Sequence, residues 1–438
     1  MSALIASAIP SAYEVTPWMI LPFGVLLLLI ATGPVLFGDW WHHHYPKASV
    51  GLGLVTVSYY FWVLHQPERF GTVAHEYLSF IALIGSLFVV AGGIHINVKG
   101  ESRPLTNVLF LAIGAVIANI IGTTGASMLM IRPWIRMNKY RITGFHIVMF
   151  IFIVSNVAGC LTPIGDPPLF LGYLKGVPFW WMLQHGWPAW VIAVGLLLTV
   201  FYVADSINIR KAPREIMEKQ TAEEKWRFDG AHNLVFLAII LAAVLYNRSL
   251  PFLVPEAIMV LAAAASFYFT PEPVHQANDF TFAPIKEVAW LFLGIFATMV
   301  PALDYLGLHA ADIGITSPIQ FYFSAGLLSS FLDNAPTYLT FLSAALGLHH
   351  LNMDNPADVL KAVTDSPREI LAISLGAVFF GAMTYIGNGP NLMVKSIADH
   401  AKVNTPSFFG YILRYAIPIL LPILILISLL FFSPWRVL

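Results

Sequence analysis

The sequence predicts an all-α polytopic membrane protein built from inverted repeats, with two re-entrant helical hairpins and two broken transmembrane helices. Three observations lead there. The composition is 58% hydrophobic and 11% charged, against about 25% charged in an ordinary soluble domain. Runs such as MILPFGVLLLLIATGPVLF and ILRYAIPILLPILILISLLFF are long enough to cross a ~30 Å hydrocarbon core as helices. Four further apolar segments are interrupted by polar residues, glycine and proline, and they fall into two similar sets.

Taken in order, uninterrupted spans are expected at 18–37, 48–65, 76–96, 186–206, 231–247, 252–270, 287–305 and 408–432. The interrupted segments lie at about 104–131, 143–175, 316–348 and 369–398. Residues 1–75 read as N-terminal scaffold helices, 76–206 as a first repeat, 207–230 as a cytoplasmic loop, 231–286 as connecting scaffold helices and 287–438 as a second repeat. The N-terminus lacks the basic region of a signal peptide. The single cysteine, Cys160, excludes an internal disulfide framework and reads as a packing residue. A net charge of −1 argues against nucleic acid as a partner.

Orientation follows the excess of Lys and Arg in cytoplasmic loops. Arg132, Arg136, Lys139 and Arg141 form one acid-free cluster, and Arg210, Lys211, Arg214, Lys219, Lys225 and Arg227 form another. With both inside, the loop near 306–315 lies outside, and it carries no Lys or Arg. The expected location is a bacterial inner (plasma) membrane.

The repeat shows in three paired stretches. Residues 80–94 resemble 289–303, and the polar tip at 119–127 pairs with that at 332–340. Ile164-Gly165-Asp166-Pro167-Pro168 aligns with Ile386-Gly387-Asn388-Gly389-Pro390. If the polar-tipped segments enter and leave on one face, the two halves run in opposite directions, which is the usual build of a secondary transporter.

Proline breaks a helix and donates no amide hydrogen. Broken backbone in a bilayer must be buried in protein or line a wet cavity. The Gly-Asp-Pro-Pro break is therefore expected to face inward and to offer an intramembrane carboxylate, Asp166. The candidate binding set is Asp166, Asn119, Thr123, Thr124, Asn156 and Thr162 from the first half. The second half supplies Asp333, Asn334, Thr337, Thr384, Asn388 and Asn391. Such carboxylate, hydroxyl and amide oxygens suit a hard cation. Asp166 and Asp333 are the expected sodium ligands, and the coupling ions are sodium or protons, with no organic cofactor. The bland alternatives are a helix N-cap for either carboxylate, or a pair between Asp166 and Lys175. Thr123, Thr124 and Ser127 have a packing alternative. His42, His43 and His44 follow Trp40 and Trp41 and read as an interfacial belt, and Asp304 reads as a solvated edge residue.

At these residues the chain resembles the ion transporter superfamily, which includes NhaD-type sodium/proton antiporters, arsenite permeases and citrate transporters. Ser155-Asn156-Val157-Ala158-Gly159 with Thr162-Pro163-Ile164-Gly165-Asp166-Pro167-Pro168 is similar to the superfamily signature. Leu332-Asp333-Asn334-Ala335-Pro336 is similar to the second motif of the antiporter and arsenite branch. The resemblance implies a homodimer whose transport region moves against a scaffold. The serine-asparagine-threonine triplets of divalent-anion symporters are missing, since Val157 follows Asn156. The motifs hold two aspartates and no arginine, so the charge balance favours a monovalent cation exchanged for protons. Citrate or another di- or tricarboxylate, coupled to sodium or protons, is the alternative. No P-loop and no zinc-protease motif is present, so neither an ATP-driven pump nor an enzyme is expected.

Overall fold

The computed structural model describes residues 15–98, 103–209 and 227–433. The N-terminal residues weighed as a signal peptide and most of the second basic cluster lie outside the described residues. The chain is an all-α polytopic membrane protein. Its uninterrupted helices are α1 (Leu21–Leu36), α2 (Gly38–Trp62), α3 (Glu68–Gly92), α7 (Trp181–Asn208), α8 (Asn233–Leu245), α9 (Val254–Phe269) and α10 (Ala283–His309). A last one, α16 (Phe408–Phe431), contains a π-helical stretch. Among the described residues, seven helices are long and apolar enough to span a bilayer, or eight if one bent pair counts as a span.

The interrupted segments sit between these helices. The first is α4 (Pro104–Met137), which is helical by hydrogen bonding but broken at Gly122. Gly122 has φ +78°, a left-handed conformation that glycine adopts without a Cβ penalty. The chain folds back there. Asn107 and Asn138 would stand about 46 Å apart on a straight helix, yet Asn107 Nδ2 donates to Asn138 Oδ1 at 2.8 Å. The third interrupted segment is α11 (Pro318–Ser329) and α12 (Asn334–Leu348), joined by residues 330–333.

The other two interrupted segments are broken helices, one after α4 and one after α12. The first is α5 (Gly144–Ile153), a short 3-10 turn at Val157–Leu161, a turn over residues 162–166, and α6 (Pro167–Lys175). The second is α14 (Pro367–Phe380), a 3-10 turn at Gly381–Met383, and α15 (Gly389–His400). Before it lies α13 (Pro356–Asp365), bent by 99° from α14. It buries Val359, Ala362 and Val363 and turns its polar face outward.

Small residues let the helices approach. A Cβ on Gly294 of α10 would meet Ser49 of α2 at 2.7 Å, and one on Gly53 would meet Ala297 at 3.1 Å. Every residue of α5 except the partly buried Phe145 is buried, as are residues 154–161, so the first break is enclosed by protein. The C-terminal end of α7 is tied to the loop after α4 by fully buried Asp205. Its carboxylate accepts from Asn107 Nδ2 at 2.9 Å and from Arg141, and lies 3.1 Å from His146 Nε2.

The sequence does not anticipate two features. A two-stranded antiparallel ladder pairs β1 (His95–Asn97) with β2 (Arg227–Asp229). Helix α3 starts at Glu68 rather than near 76, which carries Arg69 onto the helix. Asp304 is also not a solvated residue. Its side chain is 13% exposed and accepts from Arg69 at 2.7 Å and from Tyr60 at 2.6 Å.

Candidate ion-binding site

The two breaks and the two hairpin tips meet at Asp166. Its carboxylate is 1% exposed. Oδ1 accepts from Thr123 Oγ1 at 2.7 Å, at the tip of α4. Oδ2 accepts from Asn334 Nδ2 at 2.9 Å, at the start of α12. Asn388 Nδ2, at the second break, stands 3.3 Å from Oδ1. The two residues that the repeat aligns, Asp166 and Asn388, are thus in contact. Asp166 occupies the N-cap position of α6 but makes no capping hydrogen bond, so its oxygens point into the site.

A chain of amides continues from there. Asn388 Nδ2 also faces Asn156 Oδ1 at 3.2 Å and the Ser155 carbonyl at 3.3 Å. Two hydrogens serve three long contacts, so this amide is held less firmly than its neighbours. Asn156 Nδ2 donates to Asn391 Oδ1 at 2.6 Å, and Asn391 Nδ2 donates to the carbonyls of Gly381 and Thr384. Ser127 and Ser155 are joined at 2.7 Å beside it.

Asn119 and the two break threonines act as braces. Asn119 donates to the Ala115 and Ala158 carbonyls and accepts from Leu161 N. Thr162 Oγ1 donates to the Asn119 carbonyl at 2.6 Å, and Thr384 Oγ1 donates to the Ser330 carbonyl at 2.5 Å. The same bond thus ties each break to its own hairpin. Each break also has a glycine crossing. A Cβ on Gly165 would collide with the Gly159 carbonyl, and one on Gly387 would lie 2.7 Å from the Gly381 carbonyl.

Other candidates stand apart from the carboxylate. Asp333 is partly exposed and caps α12, accepting from Ala335 N at 3.0 Å. Its neighbour Asn334 is the residue that reaches Asp166. Thr337 donates to the Asp333 carbonyl one turn back in its own helix. Thr124 lines a small cavity with Gly122, Thr123, Gly165 and Pro167. That cavity is about 20 Å³, room for about one water or one bare ion. Lys175 does not pair with Asp166; it binds Glu76 and Asp354, each at 2.7 Å. Among the described residues no three His, Cys, Asp or Glu side chains stand together as a metal centre. His43 and His44 bond backbone carbonyls of α2 through Nδ1.

This arrangement defines a class: a membrane protein whose broken helices enclose a buried carboxylate among neutral donors, as expected of a transporter rather than an enzyme. Comparison with known proteins places it further. A family described as "Putative citrate transport" matches residues 12–432, nearly the whole chain, and the chain belongs to that family. It is also 24% identical over 324 residues to the "Uncharacterized transporter slr0753" of Synechocystis sp. (strain ATCC 27184 / PCC 6803 / Kazusa), covering 66% of this chain and 68% of that protein. Both findings agree with the superfamily resemblance carried by the Gly-Asp-Pro-Pro break.

Proposed function

We propose that the protein is a secondary active transporter exchanging sodium or lithium for protons at Asp166. One observation carries this reading: Asp166 is fully enclosed, and its hydrogen-bond partners Thr123, Asn334 and Asn388 are all neutral. A buried carboxylate without a cationic partner is costly, and a bound proton or cation relieves that cost. Either one occupies the same oxygens, so binding is competitive and exchange follows. The Asp166 carboxylate and the Thr123 hydroxyl supply oxygens for a small hard cation, while Asn334 and Asn388 present amide nitrogens to the carboxylate. The cavity beside Asp166 admits one ion and not a tricarboxylate.

In this reading the transport region comprises α4 to α6, α11, α12 and α13 to α15, and the scaffold comprises α1 to α3 and α8 to α10. The halves are inverted repeats, α4 and α11–α12 are re-entrant hairpins, and the transport region shifts across the membrane against the scaffold. The repeated bonds from Thr162 and Thr384 support equivalent halves. A homodimer in the inner membrane completes the proposal.

The family description favours a second reading, cation- or proton-coupled citrate transport. Asp166 would then hold the coupling ion, and the broken-helix N-termini would hold the carboxylate. Ligand-dependent stability separates site from bystander. Sodium should raise the thermal unfolding midpoint of the purified protein and leave that of Asp166→Asn unmoved. Equal stabilisation of both proteins would remove Asp166 from the site.

A further inference from the structure

Five charged residues form one connected group about 13 Å along α6 from Asp166. Arg69 of α3 binds Asp304 of α10 at 2.7 Å and Asp354, in the loop between α12 and α13, at 2.6 Å. Lys175, at the end of α6, binds Asp354 at 2.7 Å and Glu76 of α3 at 2.7 Å. The side chains of Arg69, Glu76, Lys175 and Asp304 are at most 13% exposed and that of Asp354 is 29% exposed, so Arg69–Asp304 and Lys175–Glu76 are the least screened of these contacts. Beside them lies a cavity of about 250 Å³, lined by Thr72, His75, Glu76, Lys175, Asn247 and Asp354.

The connectivity divides along the boundary between scaffold and transport region. Each cation has one acid on its own side and one across the boundary. Arg69 and Asp304 both belong to the scaffold, and Lys175 and Asp354 both belong to the transport region. The contacts that cross are Arg69–Asp354 and Lys175–Glu76. When the two regions separate, Arg69 keeps Asp304 and Lys175 keeps Asp354. Only Glu76 loses its cation, and it does so next to a cavity large enough to admit water. Separation therefore leaves no cation buried and alone, which is the usual penalty for breaking such a pair.

We propose that Arg69–Asp354 and Lys175–Glu76 are a two-point latch that holds the transport region in the present position and opens during each transport cycle. The proposal rests on the two-region reading above. The latch is distinct from the ion site: it sets which conformation is populated, not what binds.

Electron paramagnetic resonance distances in liposomes test it. Spin labels go on Glu68→Cys of the scaffold and Lys361→Cys of α13, both exposed, and buried Cys160 serves as the unlabelled background. Glu76→Gln with Asp354→Asn should increase the fraction of a second distance about three- to tenfold over the parent, with Glu76→Gln alone giving a smaller rise. Distributions that superimpose on the parent in both variants would overturn the latch. Cation-driven proton flux is measured in the same vesicles with Asp166→Asn as control. Flux that depends on Asp166 with unchanged distances removes the latch and spares the ion site. Altered distances without cation-dependent flux support the latch and remove the exchange reading.

Discussion

Asn334 Nδ2 lies 2.9 Å from Asp166 Oδ2, so the second half of the chain holds the carboxylate supplied by the first. The contact spans 168 residues of sequence. It joins the tip of one hairpin to the break of the opposite half. Any movement that separates the halves alters the ligands of that carboxylate, which gives the site a means of changing its affinity with conformation.

Removing this donor should weaken cation binding. A hydrogen bond to a charged group contributes roughly 1.5–3 kcal/mol. Asn334→Ala should therefore raise the sodium concentration for half-maximal exchange about tenfold or more. Thr337→Ala is the control, because its hydroxyl bonds only the Asp333 carbonyl of its own helix. Exchange kinetics in proteoliposomes measure both, and equal effects would argue against a specific role for Asn334.

Glycines at the breaks differ in their tolerance of a methyl group. A Cβ on Gly165 collides with the Gly159 carbonyl, whereas one on Gly389 meets nothing within 4 Å. Gly165→Ala should lower stability by about 1–3 kcal/mol or more, since backbone cannot step aside as a side chain can. Gly389→Ala should leave the thermal midpoint of the purified protein nearly unchanged.

Asp354 lies outside the spans, and its carboxyl titrates below the usual range. Burial acts to raise it, but Lys175 and Arg69 outweigh that effect. A carboxylate with a depressed folded pKa stabilises the fold above its unfolded value, about 3.9, and that contribution is lost as pH falls through the lower folded value. The difference in unfolding midpoint between the parent and Asp354→Asn should hold steady between about pH 5 and pH 8 and shrink below about pH 4. A difference that vanishes near neutrality would contradict the assigned pairing.

Much of this architecture is legible in the sequence because a bilayer imposes simple rules. Span length and apolarity locate the long helices. Proline and glycine beside Asp166 and Asn388 locate both breaks. The fold back at Gly122 follows from a polar tip in an apolar segment. What the sequence leaves hidden depends on side-chain direction. Asp333 and Asn334 are neighbours, and only the capping geometry decides that Asp333 turns to Ala335 N while Asn334 reaches Asp166. Hydropathy also starts α3 too late, since Arg69 looks like a loop residue until its buried partner is seen. The β1–β2 pair is three residues a side, too short to carry a periodic signal.

The central claim is exchange of a small cation for protons at Asp166. Its most direct measurement uses purified protein in liposomes loaded with a pH-sensitive dye, with an imposed proton gradient. Sodium, lithium, potassium or citrate is then added outside. The account predicts proton movement on adding sodium or lithium without any carboxylate, and its loss in Asp166→Asn. Silence to every cation, with proton movement only when citrate is present, would contradict it and make the protein a coupled carboxylate transporter.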